Sequence, residues 1–163
     1  MSEIELLIYQ IEQAFHRRSW HGPNLLGSVR GLKPEEAVWR PRPGRHNIWE
    51  ILVHAAYWKY TVYRKIAGES RGSFALKGSD WFERPIETTE AALKADIRML
   101  KEYHERLIEA VSQLAPSRLE ERPAGSKFTY RDLVMGVGAH DLYHAGQIQM
   151  IKRLRSGAIA AAR

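Results

Sequence analysis

Apolar residues recur every three or four positions in four segments of the chain, a spacing that places them on one face of an α-helix. The first segment runs from about Ile4 to Trp20, the second from Asn47 to Gly68, and the third from about Thr88 to Leu114. The fourth begins at Thr129, and a short helical piece is expected from Leu25 to Val29. Strand-like alternation does not persist anywhere. The pattern therefore predicts an all-α fold, most simply a four-helix bundle.

Two helix starts carry a capping-box pattern. Asn47 is followed three residues later by Glu50, and Thr129 is followed at the same spacing by Asp132. In this arrangement each side chain bonds an amide that the first helical turn leaves without a partner. Gly68 is suited to end the second helix, because glycine readily adopts the left-handed conformation of a helix C-terminus.

The connection from Gly68 to Glu87 is much longer than an antiparallel helix pair requires. A chain of about twenty residues can return along a helix of roughly 30 Å. We therefore expect the second and third helices to run parallel, joined by a crossover. Trp81 and Phe82 lie in this connection, and their apolar side chains are expected to pack back on the bundle.

Length and composition are ordinary for one soluble domain. The 163 residues are expected to form a single domain, 1–163, with a frayed tail from about residue 156. The first residues, MSEIELLIYQ, do not resemble a secretory signal, and no apolar run is long enough to cross a bilayer. We therefore expect a cytoplasmic protein without a membrane partner.

The net charge of +6 raises the question of nucleic acid binding. However, 25 lysines and arginines are spread along the chain and are interleaved with 19 acidic residues. This distribution is typical of a solvated surface, so no nucleic acid partner is expected. The absence of cysteine excludes disulfides and thiolate metal ligands, which leaves only nitrogen and oxygen donors for a metal site.

Three of the seven histidines lie on predicted apolar faces. His54 lies on the apolar face of the second helix, and His140 and His144 lie one turn apart on that of the fourth. A buried imidazole needs a partner for its polar nitrogen. Three core histidines bonded to carbonyls or hydroxyls would meet this need, but one divalent metal would satisfy all three together. The pattern favours the metal.

Three neutral imidazoles would leave coordination positions open, as in catalytic metal sites. Such an ion lowers the pKa of a bound water or thiol. We expect one divalent transition metal, with Zn or Ni ahead of Fe, Co, Cu and Mn.

Two acidic residues lie close to these histidines in sequence. Glu50 is one turn before His54 and is a candidate catalytic base or orienting group, although its place in the capping box is the stronger explanation. Asp141 follows His140 and lies about 100° around the helix, where a surface salt bridge is expected.

Four polar residues complete the candidates. His21, Asn24 and His46 lie in loops at the end of the bundle near His54, and they are candidate substrate-binding residues. His104 lies on the apolar face of the third helix, and we expect it to be a hydrogen-bonded core histidine.

The stretches PGRHNIWEILVHAAYWKYTVYRKIAG and GAHDLYHAGQIQMIKRL resemble the DinB/YfiT-like family of metal-dependent proteins. The resemblance implies a four-helix bundle in up-down-down-up order, with the metal triad at His54, His140 and His144. It also implies a homodimer and, as in some members of the family, transfer of a small thiol.

The leading hypothesis is thus a metal-dependent enzyme that acts on a small-molecule substrate. Transfer of a low-molecular-weight thiol cosubstrate to an electrophile is placed ahead of hydrolysis. The alternative is a non-catalytic metal-binding or interaction bundle.

Overall fold

The computed structural model describes residues 1–161, and within that range the fold is all-helical. Four helices are long: α1 (Glu3–Phe15), α4 (Ile48–Ala67), α5 (Glu90–Ser112) and α6 (Tyr130–Ala161). Two helices of one turn, α2 (Leu25–Ser28) and α3 (Pro34–Ala37), lie between α1 and α4, and a 3₁₀ turn (Pro116–Arg118) lies between α5 and α6. The all-α class and the four long helices expected from the sequence are confirmed.

The predicted helix starts are also confirmed. Asn47 Oδ1 accepts a hydrogen bond from the Glu50 amide at 2.8 Å, and Glu50 Oε2 accepts one from the Asn47 amide at 3.2 Å. Thr129 and Asp132 exchange the same pair of bonds at 3.1 and 2.9 Å. Gly68 ends α4 with a φ of 73°, in the left-handed region that favours glycine.

Helix α1 is shorter than its apolar pattern predicts, because it ends at Phe15 rather than near Trp20. At the end of the helix the Arg17 amide donates a hydrogen bond to the Glu12 carbonyl. The Arg17 carbonyl accepts a hydrogen bond from Asn24 Nδ2 at 2.7 Å. The same asparagine caps α2 through its Oδ1. The turn that positions α2 therefore competes with continuation of α1.

Helix α3 is not predicted by the periodicity. Its first residue is Pro34, and Glu36 accepts a hydrogen bond from the Lys33 amide at 3.0 Å. Proline at the first helical position, followed by acidic residues, is a helix start signal. A helix of four residues is too short to show a repeating apolar pattern. Ala37 is fully buried and belongs to the hydrophobic core.

Each long helix contacts two others around a shared core. Helix α4 packs against α5 and α6, and α1 packs against the other faces of the same two helices. Helix α6 continues through residues 156–161, which are exposed. No helix within residues 1–161 combines the length and apolar character needed to cross a membrane.

The core also holds an ion pair. Lys59 Nζ donates to Asp141 Oδ2 at 2.5 Å, and both side chains are fully buried. The expectation that Asp141 forms a salt bridge is right, but its expected place on the surface is wrong. Because α6 packs against α1 and α2 as well as α4, a residue 100° from His140 still faces the interior.

Candidate metal centre

The structure brings together the three histidines that the sequence singles out. His54 comes from α4, and His140 and His144 come from α6. His140 Nε2 lies 3.1 Å from His54 Nε2 and 3.0 Å from His144 Nε2. One donor nitrogen from each ring lies within 4.8 Å of the other two. His54 and His144 are almost completely buried.

Two of the rings are oriented by bonds on their far side. His54 Nδ1 donates to the Asp80 carbonyl at 2.9 Å, and His144 Nδ1 donates to Gln147 Oε1 at 2.7 Å. A neutral imidazole carries one proton, so the Nε2 atom of each of these two rings bears a lone pair. Bonds of this kind orient the histidine ligands of metal sites and fix their tautomer.

Both lone pairs are directed at His140 Nε2. That nitrogen can carry one proton at most, and this proton can serve only one of the two short contacts. At least one contact of about 3 Å therefore joins two lone pairs. His140 Nδ1 is buried and has no hydrogen-bond partner in the described part of the chain. A cation between the three rings would turn this repulsion into attraction, so the residues present fit a metal ion.

The electrostatic surroundings keep the three rings neutral. Burial, together with the neighbouring imidazoles, lowers the pKa of His140 to about 3. Burial also lowers the pKa of His144 to about 4, and it lowers the pKa of His54. Only a neutral imidazole can bind a metal, so no proton has to be displaced at neutral pH.

These pKa values predict that the metal-free protein loses stability in mild acid. The pKa values of His140 and His144 in the folded state lie below the ordinary 6.5, so between these values the unfolded chain binds more protons. The free energy of unfolding should be at its full value above pH 6.5 and should fall as the pH drops toward 4. Urea unfolding of the metal-free protein at pH 7, 6, 5 and 4 measures this. The double variant His140→Gln/His144→Gln should show a weaker dependence, and equal slopes for the two proteins would contradict the assignment.

The long connection, residues 69–89, covers one side of the triad. The Trp81 ring is stacked between His46 and His54, with centroids 3.6 and 3.8 Å away and planes nearly parallel. Trp58 Nε1 donates to Asp80 Oδ1 at 2.9 Å, which holds Asp80 against His54. The expectation that Trp81 and Phe82 pack back on the bundle is confirmed, since Phe82 lies in the core.

Sequence reasoning missed Asp80 and Gln147. Gln147 follows His144 by three residues on one helix, so the spacing alone could have indicated their contact. Asp80 lies outside any helix, 26 residues from His54, and no periodic signal connects the two.

Glu50 is committed to other partners. Its two carboxylate oxygens accept hydrogen bonds from Arg40 at 2.6 and 2.7 Å, and Oε2 also contacts His46 Nδ1 and the Asn47 amide. Burial by itself would raise the pKa of Glu50, but these hydrogen bonds outweigh it and hold the pKa below its ordinary value. The contacts agree with the capping role, and they also hold His46 beside Trp81.

The three candidate substrate-binding residues lie in different surroundings. His46 stacks on Trp81 and thus approaches the triad. Asn24 is buried, and its side chain is used to cap α2 and to bond the Arg17 carbonyl. His21 is exposed on the loop after α1 and has Ser19 nearby. Of the three, the structure brings His46 to the candidate site.

Two cavities flank the triad. One of about 420 Å³ is bordered by His46, Trp81 and Gln147, together with Arg42 and Arg45. The other, of about 400 Å³, lies between α4 and α6, reaches His140, and is mostly apolar. Of the two, the second includes a triad residue, His140, so a small molecule could reach the triad through it.

His104 belongs to a second buried group. Its Nε2 lies 3.0 Å from Glu12 Oε1, its Nδ1 lies 3.3 Å from Lys59 Nζ, and its ring is stacked on Phe15. Burial and the nearby Lys59 ammonium lower the pKa of His104 to about 2. Lys59 donates to Nδ1, so Nε2 holds the proton and donates to Glu12. Although His16 is also close, these two bonds use both nitrogens of the His104 ring and leave it no free lone pair, and the expected core histidine is confirmed.

The chain is similar to known proteins in both sequence and fold. A family model described as the DinB superfamily matches residues 18–148. No curated protein gives a significant match. Among solved structures, the crystal structure of a conserved protein from Enterococcus faecalis superposes with a TM-score of 0.64 at 18% sequence identity. The match covers 96% of this chain and 99% of that chain, and it shows a shared fold.

Proposed function

The chain belongs to the DinB superfamily, and on that premise we propose that it is a divalent-metal-dependent enzyme whose ion is held by His54, His140 and His144. The observation that carries the proposal is the convergence of three Nε2 atoms, two of which bear lone pairs directed at the third. When bound, a divalent ion such as Zn or Ni lowers the pKa of a coordinated thiol or water and polarises an electrophile.

The surrounding residues position and shield this centre. Asp80 and Gln147 orient two of the ligand rings, and Trp81 covers the face of His54 and limits the access of water. Glu50 holds His46 beside Trp81 at the edge of one cavity. The contacts of His46 support a role in substrate binding, while those of His21 and Asn24 do not.

The reaction that we propose, ahead of hydrolysis, is transfer of a small thiol to an electrophile that carries a leaving group. The thiol loses its proton to solvent, a C–S bond forms, and the bond to the leaving group breaks as that group departs with its electron pair. Glu50, the candidate base, is an ion-paired carboxylate with a lowered pKa and is poorly suited to accept a proton. A nucleophile that ionises readily is therefore favoured. A thiol with a pKa near 8.5 needs much less assistance than water, with a pKa of about 15.7.

The proposal is tested by metal analysis followed by turnover. Protein purified without a nickel resin is expected to contain about one transition-metal ion per chain by elemental mass spectrometry. The metal-loaded protein is then assayed with monobromobimane and a panel of low-molecular-weight thiols, with the metal-free protein as control. Stoichiometric metal without turnover of thiols or of hydrolysable esters would favour the non-catalytic metal-binding bundle instead.

Removing the bond from Gln147 should weaken the metal site without destroying it. In Gln147→Leu, His144 loses the acceptor that fixes its tautomer, and metal affinity should fall about 10- to 100-fold. Competition with a chromophoric chelator measures the affinity. Gln149→Leu, two residues away on the same helix and also half-buried, is the matched control and should bind like the parent protein.

We also propose that the long helices run up, down, down, up. The residue numbers of contacting pairs increase in the same direction along α4 and α5, and also along α1 and α6, as in parallel helices. Along α4 and α6 they run in opposite directions, as in antiparallel helices. The pairs are Trp49–Asp96 and Lys59–His104, then Glu3–Arg131 and Ile11–Gly138, and finally His54–His144 and Lys59–Asp141. This order supports a crossover through residues 69–89. The homodimer implied by the resemblance stays a prediction, to be tested by light scattering in solution.

A further inference from the structure

A cavity of about 730 Å³ lies between α4 and residues 71–79 of the long connection, and four cationic side chains line it. They are Arg64 and Lys65 from α4 and Arg71 and Lys77 from the connection. The lining contains no acidic residue. Within residues 1–161 none of the four forms an ion pair with a carboxylate. This cationic cavity thus concentrates positive charge without a counterion from the protein.

The four clustered cations repel one another. Burial lowers the pKa of Lys65, and the charges of Arg64 and Arg71 lower it further. Like charges in a concave, partly desolvated site repel each other, and the field they create attracts anions. A bound anion would relieve this repulsion, whereas a neutral ligand of the same shape would not.

The long connection is hydrogen bonded to α4 beside this cavity. The Tyr60 hydroxyl accepts hydrogen bonds from the amides of Gly72 and Ser73 at 3.2 and 3.1 Å, and from Ser73 Oγ at 3.3 Å. These bonds hold residues 72 and 73 of the connection against α4, beside the cavity that Tyr60 lines.

Part of the remaining wall is aromatic. Tyr57, Trp58 and Phe74 line the same cavity and provide flat apolar surface. A volume of about 730 Å³ is in the range of small-molecule sites. The ligand that fits therefore combines an anionic group with an apolar or aromatic part.

The cavity begins beside the histidine triad. Trp58 lines it, and the Trp58 ring lies 6.3 Å from the His54 ring and 6.2 Å from the His140 ring. Lys65 is eleven residues after His54 on α4, which at 1.5 Å per residue is about 16 Å along the helix axis. A ligand held at its far end by the cations could thus extend toward the triad.

We propose that the cationic cavity is a binding site for a small organic anion, in which a carboxylate, sulfonate or phosphate is joined to an apolar or aromatic group. Binding there does not require the metal. Its use as a substrate site for the triad rests on the proposed function.

The test compares naphthalene-1-sulfonate with naphthalene-1-sulfonamide, a neutral molecule of nearly the same shape, by calorimetry on the metal-free protein. The sulfonate is expected to bind at least tenfold more tightly, with an affinity that decreases as NaCl is added. In Arg71→Ala/Lys77→Ala its affinity should fall at least tenfold. Equal affinities for the two probes would overturn the proposal.

A control variant separates the possible causes of a loss. Arg98→Ala/Arg153→Ala removes two exposed cations from α5 and α6, away from the cavity, and should bind the sulfonate as the parent does. An equal loss in this control would overturn the site, because net charge alone would then explain the binding. All these measurements use the metal-free protein, so failure of the metal proposal would leave them unchanged and is distinguishable from failure of the anion site.

Discussion

Replacing His140 with alanine is expected to lower the affinity for Zn²⁺ by about 100-fold or more. His140 Nε2 is the atom that both other rings approach, at 3.1 and 3.0 Å. Without it, His54 and His144 offer only two nitrogen donors, fewer than the three protein ligands of a typical catalytic zinc site. Calorimetric titration of metal-free protein measures the change.

The matched control for this experiment is His16→Ala. His16 is a half-exposed histidine beside Glu12 and makes no contact with the triad. It should bind Zn²⁺ like the parent, and His144→Ala should lose binding as His140→Ala does. Unchanged Zn²⁺ affinity in both triad variants, with circular dichroism showing intact helices, would remove the metal-dependent proposal.

Replacing Lys59 with methionine is expected to lower the free energy of unfolding by about 3–5 kcal/mol. Lys59 and Asp141 are both fully buried, so this substitution leaves the Asp141 carboxylate in the core without its counterion. Methionine keeps most of the volume of the lysine side chain and limits cavity formation. Urea unfolding at pH 7 gives the difference.

Two further variants identify the origin of this loss. Lys94→Met breaks an ion pair whose side chains are both 72% exposed, and it should change stability by less than about 1 kcal/mol. Lys59→Met/Asp141→Leu removes both charges and should recover most of the stability. If the double variant is as unstable as Lys59→Met, the uncompensated carboxylate is not the cause.

Features that depend on neighbouring residues could be predicted from the sequence. The capping boxes at Asn47 and Thr129 and the glycine that ends α4 involve residues at most four positions apart. The placement of His54 and of His140 with His144 on inner helix faces follows from helical periodicity. The apolar pattern nevertheless overestimates the length of α1, because after Phe15 the turn that caps α2 competes with further helix.

Periodicity and capping patterns were sufficient to predict the four long helices and which histidines face inward, because these properties depend on contacts within a few turns of one helix. The packing of the helices and of the long connection sets which groups meet across the core. It placed Asp80 on His54, paired Lys59 with Asp141, and brought Arg71 and Lys77 to face α4. The partners in these contacts are separated by loops whose path follows from packing rather than from periodicity. Asp141, the residue after the candidate ligand His140, therefore forms a buried ion pair instead of a surface one.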